Sequence, residues 1–277
     1  MPKLLTNKQI TQYQDEGFIS PIRVIEESEA LLIADMIKQA EHDYPKEIHS
    51  QRRNNLHLSF SFLDKLAHNK IVVDAIEDLI GPDIALWGSV MFIKEPSSSH
   101  YVSWHQDATY MGMSDNSFAT PWIALTHSNV ETGCMSMISG SHKQKISKHV
   151  DTFARNNILT RGQEIIDVDE SLSVDLVLRP GEMSIHSGTI IHGSKPNNSE
   201  HRRVGFALQS FMPTNIVQTI GENNWTHIRG KKRNYTDGIM FDRPRFDMDP
   251  VTLSQRVKSE ENFANILYKG SKIKRNY

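Results

Sequence analysis

Two histidines and an aspartate in this chain have the types and spacing of a metal site. His105 and Asp107 form an H-x-D triplet, and residues i and i+2 of an extended backbone point to the same side. One imidazole and one carboxylate can therefore reach the same small volume. His192, in an apolar and strand-like run, is the best candidate for a third ligand. Two histidines and one carboxylate are the ligand set typical of non-haem Fe(II) sites with open coordination positions.

The same positions carry a resemblance to a known family. The chain resembles the phytanoyl-CoA dioxygenase family of Fe(II)- and 2-oxoglutarate-dependent oxygenases, which has an H-x-D triplet, a distal histidine followed by Gly-Ser, and an arginine eleven residues after that histidine. Here these elements are His105 and Asp107, His192 with Gly193 and Ser194, and Arg203. The similarity extends over most of the chain and includes Trp87-Gly88-Ser89, Gly140-Ser141-His142-Lys143 and Arg179-Pro180-Gly181-Glu182.

His186 competes with His192 for the place of the third ligand, because it lies only six residues earlier. It lacks the Gly-Ser that follows His192, and it lacks the spacing of eleven residues to Arg203. We therefore expect His192 to bind the metal. For His186 we expect a place beside the site, where it supports a ligand or contacts the substrate.

The resemblance also implies a site for the co-substrate 2-oxoglutarate. Arg203 would hold its distal carboxylate, since a planar guanidinium can make two parallel hydrogen bonds to a carboxylate. Ser194 would offer a hydroxyl to the same carboxylate, and Lys94 and Trp122 match family positions close to the co-substrate. Arg202 should point to the other face of the strand. The implied cofactors are Fe(II), 2-oxoglutarate and O2, with ascorbate as an accessory reductant.

The expected activity is hydroxylation of an unactivated C–H bond in a small polar metabolite. The presence of Asp107 favours hydroxylation over halogenation, because halogenases of the family lack the acidic ligand. The pattern is most similar to that of bacterial hydroxylases that tailor natural products, as in the hydroxylation of 7-deoxy-cylindrospermopsin. A phosphonate hydroxylase, a non-catalytic metal- or ligand-binding protein of the same fold and a zinc hydrolase are the alternatives, and iron-dependent succinate release would separate oxygenases from the last two.

Length, composition and net charge limit the kind of protein that this chain can be. The chain has 277 residues, 38% hydrophobic and 23% charged, with a net charge of −2, which is typical of a globular domain and gives no basic stripe for nucleic acid. Cys134 is its only cysteine, so no internal disulfide can form. We expect a cytoplasmic protein, monomeric or homo-oligomeric, that acts on a small molecule, because neither a signal peptide nor an apolar run of about 20 residues is visible.

The periodicity predicts a mainly β protein with flanking helices. Helices are expected at 6–16, 27–43, 63–80 and 252–268, and strands at 84–93, 101–106, 120–127, 134–138, 174–179, 182–186 and 203–212. Residues 57–62 fit a strand or a loop edge, and 143–173 an insertion or lid. The resemblance implies a double-stranded β-helix, the cupin-like jelly roll. We expect one domain over 1–277, with a helical N-terminal segment 1–82, a β-barrel core 83–212 and a tail 213–277.

Substrate selectivity should come from residues around the mouth of the site, because the metal ligands and Arg203 are shared by the family. The candidates mix aromatic surfaces with polar groups. They are His57, Tyr110, Met113, His127, His186, Trp225 and Arg229, with Phe241 and Arg245 as further tail residues. We expect the tail to close over bound substrate as a lid and exclude water.

Overall fold

The computed structural model describes residues 2–50, 52–233, 238–271 and 273. The helices are α1 (Asn7–Glu16), α2 (Glu27–Asp43), α3 (Ser61–Ala67), α4 (Lys70–Ile80), α5 (Ala108–Met111) and α6 (Pro250–Leu267). The strands are β1 (Phe18–Arg23), β2 (Ile84–Leu86), β3 (Val90–Lys94), β4 (Val102–His105), β5 (Ala119–Ala124), β6 (Met135–Ile138), β7 (His149–Asp151), β8 (Gln163–Ile165), β9 (Ser173–Leu176), β10 (Glu182–Ser187), β11 (His192–Ser194), β12 (Arg203–Ala207), β13 (Phe211–Pro213), β14 (Asn223–Arg229) and β15 (Gly238–Phe241).

Two sheets pack face to face and enclose the interior. The major sheet has the order β1-β10-β5-β13-β2-β14-β15, and β12 joins it by pairing with both β3 and β5. The minor sheet has the order β4-β11-β6-β9, while β7 and β8 form a separate ribbon. Side chains of the two sheets meet in a shared apolar cluster, in which Trp122 of β5 packs with Met135 and Met137 of β6. This is the mainly β jelly roll with flanking helices that the sequence predicted.

Alternation along the strands of the major sheet decides which side chains reach the interior. Met183 and Ile185 of β10 and Val204 of β12 belong to the core that lies between the sheet and the helices. His186 and Arg203, the residues next to them, point the other way and line the cavity between the sheets. The alternation along these strands therefore directs one set of side chains into the apolar core and the other set into the cavity.

Helices α2 and α4 cover the outer face of the major sheet, where their apolar residues join the same core. Helix α1 begins and ends as its sequence predicts. Thr6 forms a capping box with Gln9, and Gly17 ends the helix in the left-handed conformation with φ 87°.

Several predicted elements are interrupted. The helix expected at 63–80 is two helices, because the chain breaks at His68 and the side chain of Asn69 caps α4 by accepting from Ile71 N. The strand expected at 84–93 divides into β2 and β3, since residues 87–89 leave the strand conformation. The strand expected at 203–212 divides into β12 and β13, and Ser210 there has a φ of 64°.

The other differences include short elements and two strands of the major sheet outside the predicted barrel core, since β1 lies in the segment 1–82 and β14 in the tail 213–277. Residues 56–58 form a turn of 3-10 helix where a strand or loop edge was expected. The predicted insertion 143–173 contains β7 and β8. Strand β11 has only three residues; the run around His192 was expected to be strand-like, but so short a strand has no period that would give its bounds. None of the helices described is long and apolar enough to cross a membrane.

The C-terminal tail is built into the molecule through β14 and α6. Strand β14 pairs antiparallel with β2, so residues 223–229 belong to the major sheet and do not fold over the cavity as a flap. The side chain of Arg256 in α6 is fully buried and donates to Asn54 O at 3.0 Å, Glu47 O at 2.9 Å and Ser59 Oγ at 2.9 Å. The last helix is therefore anchored to the loop that follows α2.

We expect Arg256→Met to lower the free energy of unfolding by about 3 kcal/mol, because buried acceptors left without a donor cost about 1–3 kcal/mol each. Urea unfolding followed by circular dichroism measures this. Lys258→Met on the same helix is the matched control, since Lys258 is exposed and its loss should change stability by less than about 0.5 kcal/mol. Equal effects of the two substitutions would contradict the anchor.

Candidate metal centre and co-substrate pocket

Strand pairing brings the two predicted histidine ligands together. His105 is the last residue of β4 and His192 the first of β11, and the two are direct partners in the antiparallel ladder. Asp107 is not on the strand, as the H-x-D argument assumed, but caps the start of α5 with helical backbone angles. A turn after β4 therefore delivers the carboxylate to the histidines.

The three side chains form a compact group. The Nε2 atoms of His105 and His192 lie 3.5 Å and 3.9 Å from Asp107 Oδ1, and the two imidazole centroids are 4.1 Å apart. One ligand atom from each residue lies within 4.8 Å of the others. An ion between them could take all three as ligands at normal bond lengths after small side-chain shifts.

The second nitrogen of each histidine is held by the backbone. His105 Nδ1 donates to Ser103 O at 2.9 Å, and His192 Nδ1 donates to Ile190 O at 3.1 Å. A ring that donates from Nδ1 keeps its lone pair on Nε2, which here faces Asp107. Such backbone bonds fix the tautomer and orientation of metal-binding histidines, so the donor set fits a divalent metal.

Electrostatics keep the group in the protonation state that a metal needs. Burial alone would raise the pKa of Asp107, but the imidazoles of His105, His186 and His192 together hold it well below its usual range. Burial, reinforced by neighbouring His105, lowers the pKa of His192 well below its usual range. A carboxylate and an unprotonated imidazole are therefore ready to coordinate at neutral pH.

His186 lies beside this group but outside it. It comes from β10 in the opposite sheet, it is 2% exposed, and its Nε2 is 3.6 Å from Asp107 Oδ2. The group of three possible ligands does not include it. Neither of its ring nitrogens has a hydrogen-bond partner among the described residues.

Of the residues predicted to hold 2-oxoglutarate, three lie on adjoining strands of the major sheet, and Ser194 comes from β11 of the minor sheet. Arg203 of β12 pairs with Lys94 of β3, and Arg203 Nη1 donates to Gly133 O at 2.7 Å. The guanidinium carbon lies 5.3 Å from the ring centroid of Trp122. Lys94 Nζ donates to Ser194 Oγ at 2.7 Å. Arg203, Trp122 and Ser194 line the cavity, whereas Lys94 lies behind Ser194 and outside the lining.

Both cations are buried without a counter-ion. Lys94 is fully buried and Arg203 is 2% exposed, and no carboxylate among the described residues forms an ion pair with either. Burial and the neighbouring charge of Arg203 lower the pKa of Lys94 to about 6, and burial lowers that of Arg203 to about 10. Buried charges of one sign are costly unless an opposite charge joins them, so this wall fits an anionic ligand.

Of the residues predicted to contact substrate, His186 alone lies among the described residues that line the cavity. His57 is 1% exposed, and its ring nitrogens lie 2.8 Å from Ser89 Oγ and 3.0 Å from Thr226 Oγ1. Burial lowers its pKa to about 3. The prediction for His57 is therefore corrected, because a neutral ring with both nitrogens engaged belongs to the core.

The tail residues also have structural partners. Trp225 is fully buried in the apolar cluster around Trp87 and Phe263. Arg229 Nη1 bonds to Asp74 and Glu77 of α4 at 2.7 Å each. Neither reaches the cavity, because β14 lies beyond β2 in the sheet.

Arg245 and Phe241, the further tail candidates, are engaged elsewhere as well. Arg245 bonds to Asp249 at 2.7 Å, at the start of α6. Phe241 is 5% exposed at the end of β15. Their contacts stabilise the tail.

The remaining candidates lie near the mouth or on the surface. Tyr110 is half-buried on α5, with the guanidinium of Arg161 5.1 Å above its ring. Met113 is half-buried against the cluster that contains Trp225. His127 is exposed, and its Nε2 is 3.8 Å from Glu27 Oε1. None of the three lines the cavity.

Sequence reasoning missed several lining residues, among them Phe92, Thr120, Leu159 and Gln209. The strand period could have found Thr120, which lies two residues before Trp122 on β5 and so faces the same side. No local signal marks Gln209, because it lies in the break between β12 and β13.

Comparisons with known proteins agree with this geometry. A curated relative from Stutzerimonas stutzeri, "Probable alpha-ketoglutarate-dependent hypophosphite dioxygenase", is 31% identical over 172 residues, which cover 59% of this chain and 59% of the relative. The chain thus spans about three-fifths of the length of that relative. The solved structure "non-heme monooxygenase; ThoJ apo" aligns with a TM-score of 0.82 at 25% identity, over 94% of this chain and 98% of its own.

A second solved structure, "CytC3 with Fe(II) and alpha-ketoglutarate", aligns with a TM-score of 0.67 at 21% identity, over 90% of this chain and 97% of its own, and shows the shared fold. The model of the family "Phytanoyl-CoA dioxygenase (PhyH)" matches residues 23–205. That match spans most of the chain and includes the candidate metal ligands and Arg203. The chain therefore belongs to the phytanoyl-CoA dioxygenase (PhyH) family.

Proposed function

We propose that this protein is an Fe(II)- and 2-oxoglutarate-dependent dioxygenase that hydroxylates a small polar molecule. One observation carries the proposal: a buried His105–Asp107–His192 group shares a cavity with Arg203, a buried cation that has no counter-ion among the residues described. The group of two histidines and one aspartate fits a divalent metal. Arg203 fits a carboxylate of a co-substrate that binds beside the metal.

The roles of the residues follow from their contacts. Nε2 of His105, Nε2 of His192 and the carboxylate of Asp107 would hold Fe(II), which when bound couples oxidative decarboxylation of 2-oxoglutarate to oxidation of the substrate. Arg203 and Ser194 would grip the distal carboxylate, with the charge of Lys94 behind them. The apolar rings and side chains of Phe92, Trp122 and Met135 exclude water from the space between.

For the substrate we propose a small polar metabolite in a natural-product tailoring step, with 7-deoxy-cylindrospermopsin as the first compound to test. A phosphorus oxyanion is the second candidate, because the S. stutzeri relative is named for hypophosphite. We propose that the reaction takes place in the cytoplasm. A metal-binding protein without activity is the alternative that the first experiment below removes.

The purified protein should release succinate from 2-oxoglutarate only when Fe(II) and O2 are present, and faster when a substrate is added. His105→Ala, Asp107→Ala and His192→Ala should each abolish this release, which mass spectrometry of succinate measures. Absence of succinate under all conditions, while Fe(II) still binds, would favour the binding protein.

His186→Ala is the matched control for the metal ligands, since His186 lies beside the group but does not belong to it. This variant should bind Co(II) with wild-type affinity in an absorption titration, whereas His192→Ala should not. The reverse outcome would show that the distal ligand is wrongly assigned.

Arg203→Ala should weaken 2-oxoglutarate binding by at least about a hundredfold, because removing one partner of a buried charged pair costs on the order of 3–5 kcal/mol. Arg202→Ala is the matched control. Its guanidinium bonds to Glu41 and Glu95 near the surface, so its loss should change the Kd by less than about threefold. Isothermal titration under argon measures both, and equal effects would refute the role of Arg203.

The affinity for 2-oxoglutarate should fall as the pH rises above about 6. Burial and Arg203 lower the pKa of Lys94 to about 6 in the free protein, so the amine is mostly neutral at pH 7. A bound carboxylate favours the charged form, so binding takes up a proton and loses up to about tenfold in affinity per pH unit above 6. Titration in buffers of different ionisation enthalpy measures the proton uptake. Lys94→Met should remove it; an unchanged pH slope in that variant would contradict the assignment.

A further inference from the structure

We infer that Thr120, His186 and Gln209 form the surface that recognises the substrate, and that they hydrogen bond to an uncharged or anionic polar group beside the bond that is oxidised. This inference rests on the proposed function. The cluster formed by Thr120, His186 and Gln209 is called the recognition patch below.

Thr120 and His186 are neighbours on the inner face of the major sheet, and Gln209 lies beside them in the break between β12 and β13. His186 of β10 is the direct ladder partner of Thr120 on β5. Ser210 N donates to Thr120 Oγ1 at 3.3 Å, which places Gln209, the residue before Ser210, next to the same threonine. All three line the cavity, whereas His105 and His192 come from the minor sheet. The recognition patch and the metal ligands therefore belong to opposite walls.

The patch has hydrogen-bonding capacity that the protein itself does not use. His186 is 2% exposed, its Nε2 lies 3.6 Å from Asp107 Oδ2, and its Nδ1 has no hydrogen-bond partner among the described residues. Thr120 accepts a bond from Ser210 N, which leaves its own hydroxyl proton free to donate. Burying a polar side chain without a hydrogen-bond partner costs free energy, so binding of a ligand group that supplies the missing hydrogen bond is favoured.

Elimination points to the same residues. The polar side chains that line the cavity are His105, Asp107, Thr120, His186, His192, Ser194, Arg203 and Gln209. Three of these would bind the metal, and two would bind 2-oxoglutarate. The remaining three are the recognition patch, and the rest of the lining is glycine, aliphatic or aromatic, with the indole N–H of Trp122 as its one further side-chain donor among the described lining residues.

Charge and distance define the group that would bind. Asp107 is the single acidic residue among the described residues that line the cavity, and a metal would take its charge. An ammonium or guanidinium group would therefore find no counter-ion at the patch, whereas a carbonyl, amide, hydroxyl or oxyanion would find hydrogen-bond partners. His186 Nε2 is 3.6 Å from Asp107 Oδ2, so a group bound there lies close to the metal. The oxidised bond must be next to that group.

Small probes test the inference by binding to the full-length protein with Fe(II) and 2-oxoglutarate under argon. The visible charge-transfer band between the metal and 2-oxoglutarate reports whether the co-substrate site is assembled, and its shift on titration reports a probe beside the metal. The probes are uracil as an uncharged group, methylphosphonate as an oxyanion and methylguanidinium as a cation. Thr120→Val, His186→Phe and Gln209→Leu keep the volume and remove hydrogen bonds, and His127→Phe is the control on the surface.

Uracil or methylphosphonate should shift the band of the wild-type protein, and methylguanidinium should not. Each patch variant should weaken the effective probe at least about tenfold while its Kd for 2-oxoglutarate stays within about threefold, and His127→Phe should match the wild type. The inference is overturned if neither probe shifts the band, if methylguanidinium binds best, or if patch variants bind the probes like the wild type. Failure of the band itself to form would instead refute the proposed function.

Discussion

The pairing of β4 with β11 is the constraint on which the site depends. It sets two residues that are 87 positions apart in the sequence, His105 and His192, side by side in one ladder. Each ring is then turned by a bond to the carbonyl two residues earlier, so that both Nε2 atoms face the same point. The backbone therefore fixes the orientation of both imidazole rings before any metal binds. A slip of one residue would send His192 to the other face and remove the site.

A second constraint orients the basic side chains at the end of the cavity formed by Arg203 and Lys94. Gly133 O accepts hydrogen bonds from both Arg203 and Lys94, so one carbonyl orients the guanidinium and the amine together. Gly133 has a φ of 71°, and a Cβ at this position would lie 2.3 Å from Lys195 O. Only glycine can bring its carbonyl to this point, so the turn before β6 fixes the position of the Arg203 side chain on the major sheet.

The sequence predicted well which of the candidate metal ligands and co-substrate residues would lie close together, because these residues lie in short motifs whose spacing can be compared directly. His105, Asp107, His192 and Arg203 meet in one cavity. Helices α1 and α2 were also predictable, since capping residues and an apolar stripe mark them locally. The division of 63–80 into two helices was not, because a helix-compatible pattern runs through the break at His68.

Substrate contacts were the weakest prediction for a physical reason. Aromatic and charged residues in the tail resemble a binding surface when they are read along the chain, but their partners are distant in sequence. Arg229 meets Asp74 and Glu77 from α4, and His57 meets Thr226 from β14. A cavity wall is defined by which strands are neighbours, and Thr120, His186 and Gln209 share no motif that a single sequence could reveal.

The burial of Arg256 has a consequence for folding of the chain during its synthesis. This side chain, near the end of the sequence, donates to carbonyls at positions 47 and 54, and β1 pairs with β10 from residue 18 to residue 186. The segment around residue 18 therefore has no complete partner until synthesis has passed residue 186, and the segments around residues 47 and 54 have none until it has passed residue 256. Folding dominated by such distant contacts is slow and leaves apolar surface exposed meanwhile. Expression at low temperature or with chaperones should accordingly raise the soluble yield more than a change in the sequence of the surface.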